Sequence, residues 1–272
     1  MTDLNSNRLV RTLADLKAAG KKALLPFITA GYPNLEATVA LLHEFERRGA
    51  NVCELGIPFS DPIADGPTIQ ASYTDALAAG VNSARIFAAV KRYRDEGGQL
   101  ALIAMVSYSI VYRHGVQQYL ADAAAAGFDG LIIPDLSLEE APALEKTAAA
   151  AGLANVMLIA PNTPAARQIE IARHSRGFIY FISVAGTTGE RDKLPEQTIA
   201  AVAELRKHTD TPVCIGFGVA RPEMVAKVCA VADGAIVGSA IVHRITDHKS
   251  AEPEKIAHAL GEFIGELLEP IR

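Results

Sequence analysis

Residues 100–134 read LALIAMVSYSIVYRHGVQQYLADAAAAGFDGLIIP, and the pattern in this segment indicates the unit from which the chain is built. An apolar run at Leu100–Ser107 precedes an alanine-rich segment at Val116–Ala126 and a second apolar run at Gly130–Pro134. Uniformly apolar runs of this length are typical of strands covered on both faces, and the longer segment between them favours a helix. We therefore predict a strand, a crossover helix and a second, parallel strand here.

The same alternation extends over the whole chain. The predicted strands are Ala23–Thr29, Asn51–Ile57, Leu100–Ser107, Gly130–Pro134, Asn155–Ala160, Gly177–Val184, Pro212–Gly216 and Gly234–Val237. The predicted helices are Leu35–Arg48, Ser83–Asp95, Val116–Ala126, Glu139–Ala151, Ala165–His174, Pro195–His208, Pro222–Val231 and Pro253–Leu268. In addition, the near-helical spacing of Leu9, Leu13, Leu16 and Ala19 predicts an extra helix before the first strand.

Eight strands, each with its own helix, predict an α/β fold: a single-domain (β/α)8 TIM barrel over residues 1–272 with an extra N-terminal helix. The length agrees with such barrels, which typically have about 250 residues. An open, doubly wound sheet is the alternative, and the missing nucleotide-binding glycine fingerprint counts against it. The longest inserts, Phe59–Gln70 and Ala185–Leu194, follow predicted strands and so lie at the carboxyl end of the barrel, where barrel enzymes assemble their active sites.

Composition excludes several classes of protein. Lysine and arginine total 26 against 31 aspartate and glutamate, giving a net charge of −5, and no basic run could contact a row of nucleic-acid phosphates. Neither an export signal nor an apolar stretch of about 18 residues occurs, so we expect no membrane insertion. Three widely separated cysteines, Cys53, Cys214 and Cys229, favour a reduced, cytoplasmic location.

Carboxylates of the second strand and its loop are the candidate acids and bases. Glu54 lies in an apolar run, where loss of water would raise the pKa of its carboxyl group and suit it to proton transfer. The alternative is a structural glutamate paired with an arginine or lysine inside the barrel. Asp61 and Asp65 follow in a loop rich in Pro and Gly, where turn formation or helix capping is the alternative to a chemical role.

Small-residue turns after the last three strands indicate a phosphate site. They occupy residues 185–189, 216–218 and 238–240, and a short helix beginning near Ser239 would direct its positive end at the same point. Tight strand-to-helix corners are the alternative explanation of these glycines. For His243, just after the last strand, we expect a surface or capping role rather than a phosphate contact.

Other reaction classes lack their residues. No predicted strand interior contains a lysine for a Schiff base, the histidines lack metal-ligand spacing, and Gly-x-Ser-x-Gly does not occur. We therefore predict proton transfers without a covalent intermediate, on a phosphorylated ligand whose hydrophobic ring contacts apolar side chains. The candidates for that contact are Phe27, Leu131, Ile133 and Phe217.

Residues 54–70, ELGIPFSDPIADGPTIQ, resemble the signature of the tryptophan synthase α-subunit family. Further segments agree in order along nearly the whole chain: residues 26–33 (PFITAGYP), 133–136 (IPDL), 183–189 (SVAGTTG), 216–219 (GFGV) and 237–240 (VGSA), with Tyr180 ahead of the third. The resemblance implies a lyase that cleaves indole-3-glycerol phosphate to indole and glyceraldehyde 3-phosphate, without a metal or organic cofactor.

The resemblance also implies roles for individual residues. Glu54 would be the general acid and base, and Asp65 would accept the indole N–H, with Thr188 orienting it. Side chains expected around the substrate are Phe27, Tyr180 and Phe217. Residues expected to hold the phosphate are Gly189, Gly218, Gly238 and Ser239.

The family further implies a β-subunit partner in an αββα heterotetramer, in which the β subunit carries pyridoxal phosphate and receives indole. Pro58, Asp61 and Ser137 would face that partner. The chain departs from the family at Ser107, where many relatives have a tyrosine near the substrate, and at Ser137, where a proline is usual. Two alternatives stay open: a sugar-phosphate isomerase or epimerase on a similar barrel, and a module whose main task is to activate a β subunit.

Overall fold

The computed structural model describes residues 4–63, 65–183, 194–216 and 218–272. Within these residues, eight parallel strands form a closed barrel in chain order, with β1 paired to both β2 and β8. The strands are β1 Ala23–Thr29, β2 Val52–Gly56, β3 Ala101–Met105, β4 Gly130–Ile132, β5 Ala154–Ile159, β6 Ile179–Ile182, β7 Val213–Gly216 and β8 Gly234–Val237. The predicted (β/α)8 class is confirmed.

Helices surround the barrel. They are α1 Arg8–Ala18, α2 Leu35–Arg48, α3 Pro67–Ala78, α4 Ser83–Asp95, α5 Tyr108–His114, α6 Val116–Ala126, α7 Ala141–Ala150, α8 Ala165–His174, α9 Glu196–Leu205, α10 Pro222–Val231, α11 Ser239–His248 and α12 Pro253–Leu268. The helix α2 illustrates how local sequence sets their bounds. The Asn34 side chain accepts a hydrogen bond from the Ala37 amide at its start, and Gly49 ends it in a left-handed conformation with φ 102°.

Two helices, α3 and α5, were not predicted. The buried face of α3 contains Ile69, Ser72, Tyr73 and Ala76, so polar groups interrupt the apolar pattern on which the prediction relied. The helix α5 begins where we expected the end of a strand, because the Ser107 side chain accepts a hydrogen bond from the Ser109 amide and starts a helix there. Both helices follow a strand and therefore lie near the carboxyl end of the barrel.

The extra N-terminal helix is confirmed as α1, and it covers the amino end of the barrel. Asn7 donates to the carbonyls of Asp129 and Gly152 at 2.7 and 2.8 Å, and Arg8 pairs with Asp129 at 2.8 Å. The Leu9 side chain fills the space beside Gly130, where an added Cβ would lie 3.2 Å from its methyl group. This end of the barrel is therefore closed.

Among the helices of the described ranges, none has both the length and the hydropathy of a membrane-spanning helix. The strands are almost entirely buried, as expected for a parallel sheet enclosed by helices. Because helices cover the strands and the amino end of the barrel, a ligand site can form among the loops at the carboxyl ends of the strands.

Candidate active site

A cavity of about 410 Å³ opens at the carboxyl end of the barrel. Its walls come from strand ends and from the loops and helices that follow them, which is where barrel enzymes place their chemistry. The lining residues include Phe27, Asp65, Thr68, Ile69, Met105, Pro134, Leu158, Thr163, Tyr180, Ile182, Gly218, Ile236, Gly238, Ser239 and His243. Most are apolar, so the cavity suits a ligand with a hydrophobic ring.

Glu54 lies on β2, opposite Phe27 of β1 and Ile103 of β3 in the strand register. Its side chain shares the inner face of β2 with Gly56, because side chains two residues apart on a strand point the same way. That face is turned towards the cavity: a Cβ at Gly56 would lie 2.5 Å from the ring of Phe27, which lines the cavity. Glu54 is therefore inside the barrel, although it is not itself one of the lining residues.

Glu54 is buried without a hydrogen bond to its carboxyl group from any described residue. The residue is fully buried, and neither carboxyl oxygen has a hydrogen-bond partner among the residues that the structure describes. Burial raises the pKa of Glu54 well above its ordinary value, so the carboxyl group is neutral where a solvated glutamate would be ionised. The alternative of a structural ion pair with a lysine or arginine finds no support in the described residues.

Asp65 lines the same cavity and is partly buried. Its amide donates to the Pro62 carbonyl at 3.1 Å, and the Gln70 side chain donates to its carbonyl at 2.8 Å, which fixes the backbone just before α3. Loss of water raises the pKa of its carboxyl group to about 6. Asp61, four residues earlier, is exposed and accepts a hydrogen bond from Ser60 at 2.8 Å, so the two aspartates occupy different environments.

Two tyrosines stand near these carboxylates. Tyr180 on β6 lines the cavity, and Tyr73 on α3 places its hydroxyl where a Cβ at Gly56 would be only 2.6 Å away. Burial and the neighbouring carboxylates Glu54 and Asp65 raise the pKa of both phenols well above the ordinary value. Both hydroxyls therefore stay protonated and can donate hydrogen bonds.

Glycines and a helix start form another part of the cavity wall. Gly218 follows β7 with φ +80°, and Gly238 precedes Ser239, the first residue of α11. The first amides of a helix have no partner within the helix and attract anions. The amides of Ile241 and Val242 already bond to the Gly238 carbonyl at 2.8 and 3.1 Å, which leaves the amides before them for an anion.

His243 lies on α11 one turn after Ser239 and also lines the cavity. Of the described lining residues, it is the one whose side chain can carry a positive charge. We expected a surface or capping role for it. Its spacing of four residues from Ser239, which places both on one helix face, was the signal that could have brought it into the site.

Two predicted apolar contacts, Leu131 and Ile133, do not line this cavity, and that expectation is wrong. Ile133 instead lines a separate space of about 150 Å³ together with Arg167 and Ile171 of α8, so it faces the surrounding helices. Leu131 shares its face of the chain because side chains alternate along a strand. Met105 and Leu158, not singled out from the sequence, line the cavity at the ends of β3 and β5.

The remaining predicted residues are placed as follows. Phe27, Tyr180, Gly218, Gly238 and Ser239 all line the cavity with Asp65. Thr188, Gly189 and Phe217 lie outside the described residues. No group of three or more His, Cys, Asp or Glu side chains able to hold a metal occurs in the described ranges, and the prediction of no metal stays a prediction.

The residues expected to face a partner differ in exposure. Pro58 is buried within this chain, whereas Asp61 and Ser137 are exposed. Ser137 accepts a hydrogen bond from the Glu140 amide at 3.3 Å, just before α7. At the other departure from the family pattern, the Ser107 hydroxyl donates to Asp135 at 2.8 Å and links the loops after β3 and β4.

Comparisons with known proteins agree with one another. Residues 13–270 match the family model described as tryptophan synthase alpha chain. The chain is 43% identical over 265 residues to the tryptophan synthase alpha chain of Rhodopirellula baltica, covering 94% of this chain and 95% of that one. It is 42% identical over 262 residues to the one from Chloroflexus aggregans, covering 96% and 97% of the two chains.

Solved structures give the same result. The crystal structure of tryptophan synthase subunit alpha from Legionella pneumophila superimposes with a TM-score of 0.88 at 36% identity, over 97% of this chain and 98% of that one. A chain of the aminoacrylate-bound form of tryptophan synthase from M. tuberculosis superimposes with a TM-score of 0.85 at 31% identity, over 98% and 100%.

Proposed function

Since the chain belongs to the tryptophan synthase alpha chain family, whose members are lyases that cleave indole-3-glycerol phosphate, we propose that Glu54 and Asp65 are the acid–base pair of this cleavage. The lyase class and the α-subunit role follow from the family. The residues and the mechanism are the proposal, and it rests on two carboxyl groups kept in different surroundings at one end of the barrel.

The reaction requires a proton at carbon 3 of the indole ring before the bond to the glycerol chain can break. Protonation converts the ring to an indolenine, which can accept the electron pair of that bond. Glu54, neutral because it is buried, supplies the proton. As the bond breaks, the glycerol hydroxyl loses its proton to the ionised Glu54 and becomes the aldehyde of glyceraldehyde 3-phosphate, while the ring returns to indole. General acid–base catalysis of this kind contributes about 10²- to 10⁴-fold in rate.

Asp65 has the complementary task. With a pKa of about 6 it is mostly ionised near neutral pH, and it accepts a hydrogen bond from the indole N–H as positive charge develops on the ring. Two groups of one type whose surroundings assign them opposite protonation states are a recurrent arrangement in acid–base enzymes. Thr188, outside the described residues, is proposed to orient Asp65.

Different parts of the cavity suit the indole ring and the phosphate of the substrate. We assign the ring to Phe27, Tyr180 and Phe217, of which the first two line the cavity beside Met105 and Leu158. We assign the phosphate to Gly189, Gly218, Gly238 and Ser239. The support for this is the pairing of an apolar wall with the start of α11.

An α chain of this family implies a β-subunit partner. We propose an αββα heterotetramer in which indole passes to the β subunit for synthesis of L-tryptophan. We also propose that Asp61, Ser137 and the loop at Pro58 contact the β subunit. We also propose that this chain uses no cofactor, pyridoxal phosphate being held by the partner, and that residues 1–272 act as one catalytic domain. The cytoplasmic location stays a prediction.

The observation that carries the proposal is the isolation of Glu54: a fully buried carboxyl group whose oxygens have no hydrogen-bond partner among the described residues. Burying a carboxyl group without a hydrogen-bond partner costs stability, and such groups are concentrated at functional sites. The variant Glu54→Gln keeps the shape and removes the proton. We expect it to reduce formation of indole from indole-3-glycerol phosphate by at least about 100-fold.

The matched control is Glu254→Gln, on the exposed side of α12, which should retain the parent rate. Each protein is assayed alone and with the β subunit. Equal rates for Glu54→Gln and the parent would contradict the mechanism. Inactivity of the parent chain alone, with activity in the complex, would show that the partner is needed for turnover.

A further inference from the structure

Tyr73 is a buried titratable residue close to the site that the mechanism above leaves without a role. It lies on α3 and its side chain is only 3% exposed. Its hydroxyl approaches Gly56 so closely that an added Cβ there would be 2.6 Å away. Gly56 is on the same inner face of β2 as Glu54, so the phenol reaches into the barrel mouth.

The position of α3 explains this orientation. The helix begins at Pro67, two residues after Asp65, and Ile69 and Tyr73 are four residues apart on one face of it. Ile69 lines the cavity. Helical side chains incline towards the amino end of their helix, and that is the end of α3 that follows Asp65.

The hydroxyl of Tyr73 has an unused donor. In the part of the chain that the structure describes, it makes no hydrogen bond. The hydroxyl oxygen is not among the fully buried atoms without a partner, so it keeps some accessible surface and is free to bond to a group that moves into reach. The charge of Asp65 contributes more than that of Glu54 to the raised pKa of Tyr73, whereas Glu54 contributes more to the raised pKa of Tyr180.

We propose that Tyr73 is a positioning residue for Asp65: when substrate fills the cavity, the Tyr73 hydroxyl donates a hydrogen bond to the Asp65 carboxylate and directs it at the indole nitrogen. A tyrosine suits this task because it is a neutral donor. It stabilises the ionised aspartate without adding a positive charge that would also ionise Glu54. The inference rests on the role proposed for Asp65.

The other ionisable groups around Tyr73 are few. Asp65 and, on β2, Glu54 are the charged groups that act on its pKa, and Tyr180 on β6 and His243 on α11 line the cavity together with Asp65. On its own helix, Asp75 is exposed and pairs with Lys249 at 3.3 Å. A change in pH dependence on removing the phenol therefore reports on the carboxylates of the site.

The test is Tyr73→Phe in the full chain, assayed with the β subunit present. A hydrogen bond to a charged group corresponds to about a 10- to 100-fold effect, and we expect kcat to fall by that amount while KM changes by less than about 3-fold. Loss of the donor raises the pKa of Asp65 in the substrate complex. The acid limb of the kcat profile should thus move to higher pH by about one unit.

The profile of kcat/KM reports the free enzyme. Its acid limb should stay in place, because the hydroxyl makes no hydrogen bond to Asp65 in this structure. The matched control is Tyr119→Phe, which removes another buried phenol, on α6 outside the barrel. It should leave both profiles as in the parent. A thermal unfolding midpoint near that of the parent establishes that Tyr73→Phe is folded.

Combination with Asp65→Asn separates the possible outcomes. If Tyr73 acts through Asp65, adding Tyr73→Phe to Asp65→Asn lowers kcat by less than about 2-fold. The full effect of Tyr73→Phe in that background, or a parent-like kcat and acid limb in the single variant, overturns the inference. A parent-like kcat for Asp65→Asn instead overturns the role of Asp65 itself.

Discussion

Phe27 of β1 and Glu54 of β2 are direct register partners, and the Phe27 ring extends over Gly56, on the same face of β2 as the glutamate. The Glu54 carboxyl group therefore has an aromatic ring as its neighbour, whereas the carboxyl group of a solvated glutamate is surrounded by water. Its protonation is therefore controlled by exclusion of solvent, with no described cation to oppose that effect. Substitutions that displace the Phe27 ring should therefore reduce the rate of catalysis while the chain stays folded.

The glycine at position 56 is the most direct way to test that dependence. Gly56→Ala would place a methyl group 2.5 Å from the Phe27 ring and 2.6 Å from the Tyr73 hydroxyl, so both must move. We expect kcat/KM for indole-3-glycerol phosphate to fall by at least about 10-fold, since misplacement of a site by about 1 Å can cost 100-fold.

Gly265→Ala is the matched control for this change. Gly265 is on α12, and an added Cβ would meet nothing nearer than an Arg48 nitrogen at 3.7 Å. Alanine favours helix by up to about 1 kcal/mol over glycine, so the control should be as stable as the parent or more stable, with unchanged kcat/KM. Full activity of Gly56→Ala would show that the close approach has no catalytic importance.

Asp65 should reduce the stability of the folded chain at neutral pH. Its pKa is about 6 in the folded state against 3.8 for an ordinary aspartate, so its ionisation opposes folding as the pH rises from about 4 to about 6. Asp65→Asn removes this cost. We expect a gain of about 1–2 kcal/mol in the free energy of unfolding at pH 7, allowing for partial exposure, and almost none at pH 3.5.

Urea denaturation of both proteins at a series of pH values measures this difference. Asp75→Asn, on the exposed side of the same helix, is the control and should show no such rise between pH 4 and 6. A constant difference between Asp65→Asn and the parent across the series would contradict the burial of the carboxylate.

His243 should strengthen binding of the phosphate group. It lies one turn after Ser239 and can donate an N–H or carry a charge beside the start of α11. His243→Gln should raise KM by about 3- to 10-fold with little change in kcat, because the contact is the same in the ground and transition states. Competitive inhibition by inorganic phosphate should weaken in parallel, and His243→Lys should restore it. An unchanged inhibition constant in His243→Gln would place the phosphate elsewhere.

Ser107 should stabilise the chain through two hydrogen bonds. Its hydroxyl donates to Asp135 at 2.8 Å and accepts from the Ser109 amide at 3.3 Å, so it both caps α5 and joins two loops. Ser107→Ala should lower the free energy of unfolding by about 0.5–2 kcal/mol. Ser109→Ala, which keeps the amide, serves as the control in the same denaturation experiment. Equal midpoints for all three proteins would show that the link contributes nothing.

The strands could be predicted because every one is a short apolar run followed by a helix-like segment. The same uniformity explains the error at Leu131 and Ile133, since a strand buried on both faces gives no alternation to separate cavity from exterior. The strand register and the position of Ile133 against α8 place this face towards the helices. Strand bounds failed at Ser107 because a capping hydroxyl ended the strand earlier than the apolar pattern did.

Residues of the cavity could be predicted where the residue type is unusual for its position in the sequence. A glutamate within an apolar run, or glycines after consecutive strands, stand out in the sequence; Gly218 and Gly238, predicted in this way, line the cavity, and the role of Glu54 stays a prediction. Tyr73 and His243 did not stand out, because each lies on a helix whose approach to the cavity depends on packing. For Thr188, Gly189 and Phe217, the proposed roles stay predictions.

The contacts of Leu9 and the hydrogen bonds of Asn7 at the amino end of the barrel bear on how the substrate enters the site. In the described part of the chain, the amino end of the barrel is covered, so the approach to Glu54 runs from the carboxyl end, past Asp65 and the start of α11. Substrate entry and indole release therefore both involve the carboxyl end of the barrel, and a side chain that narrows this opening would slow both steps.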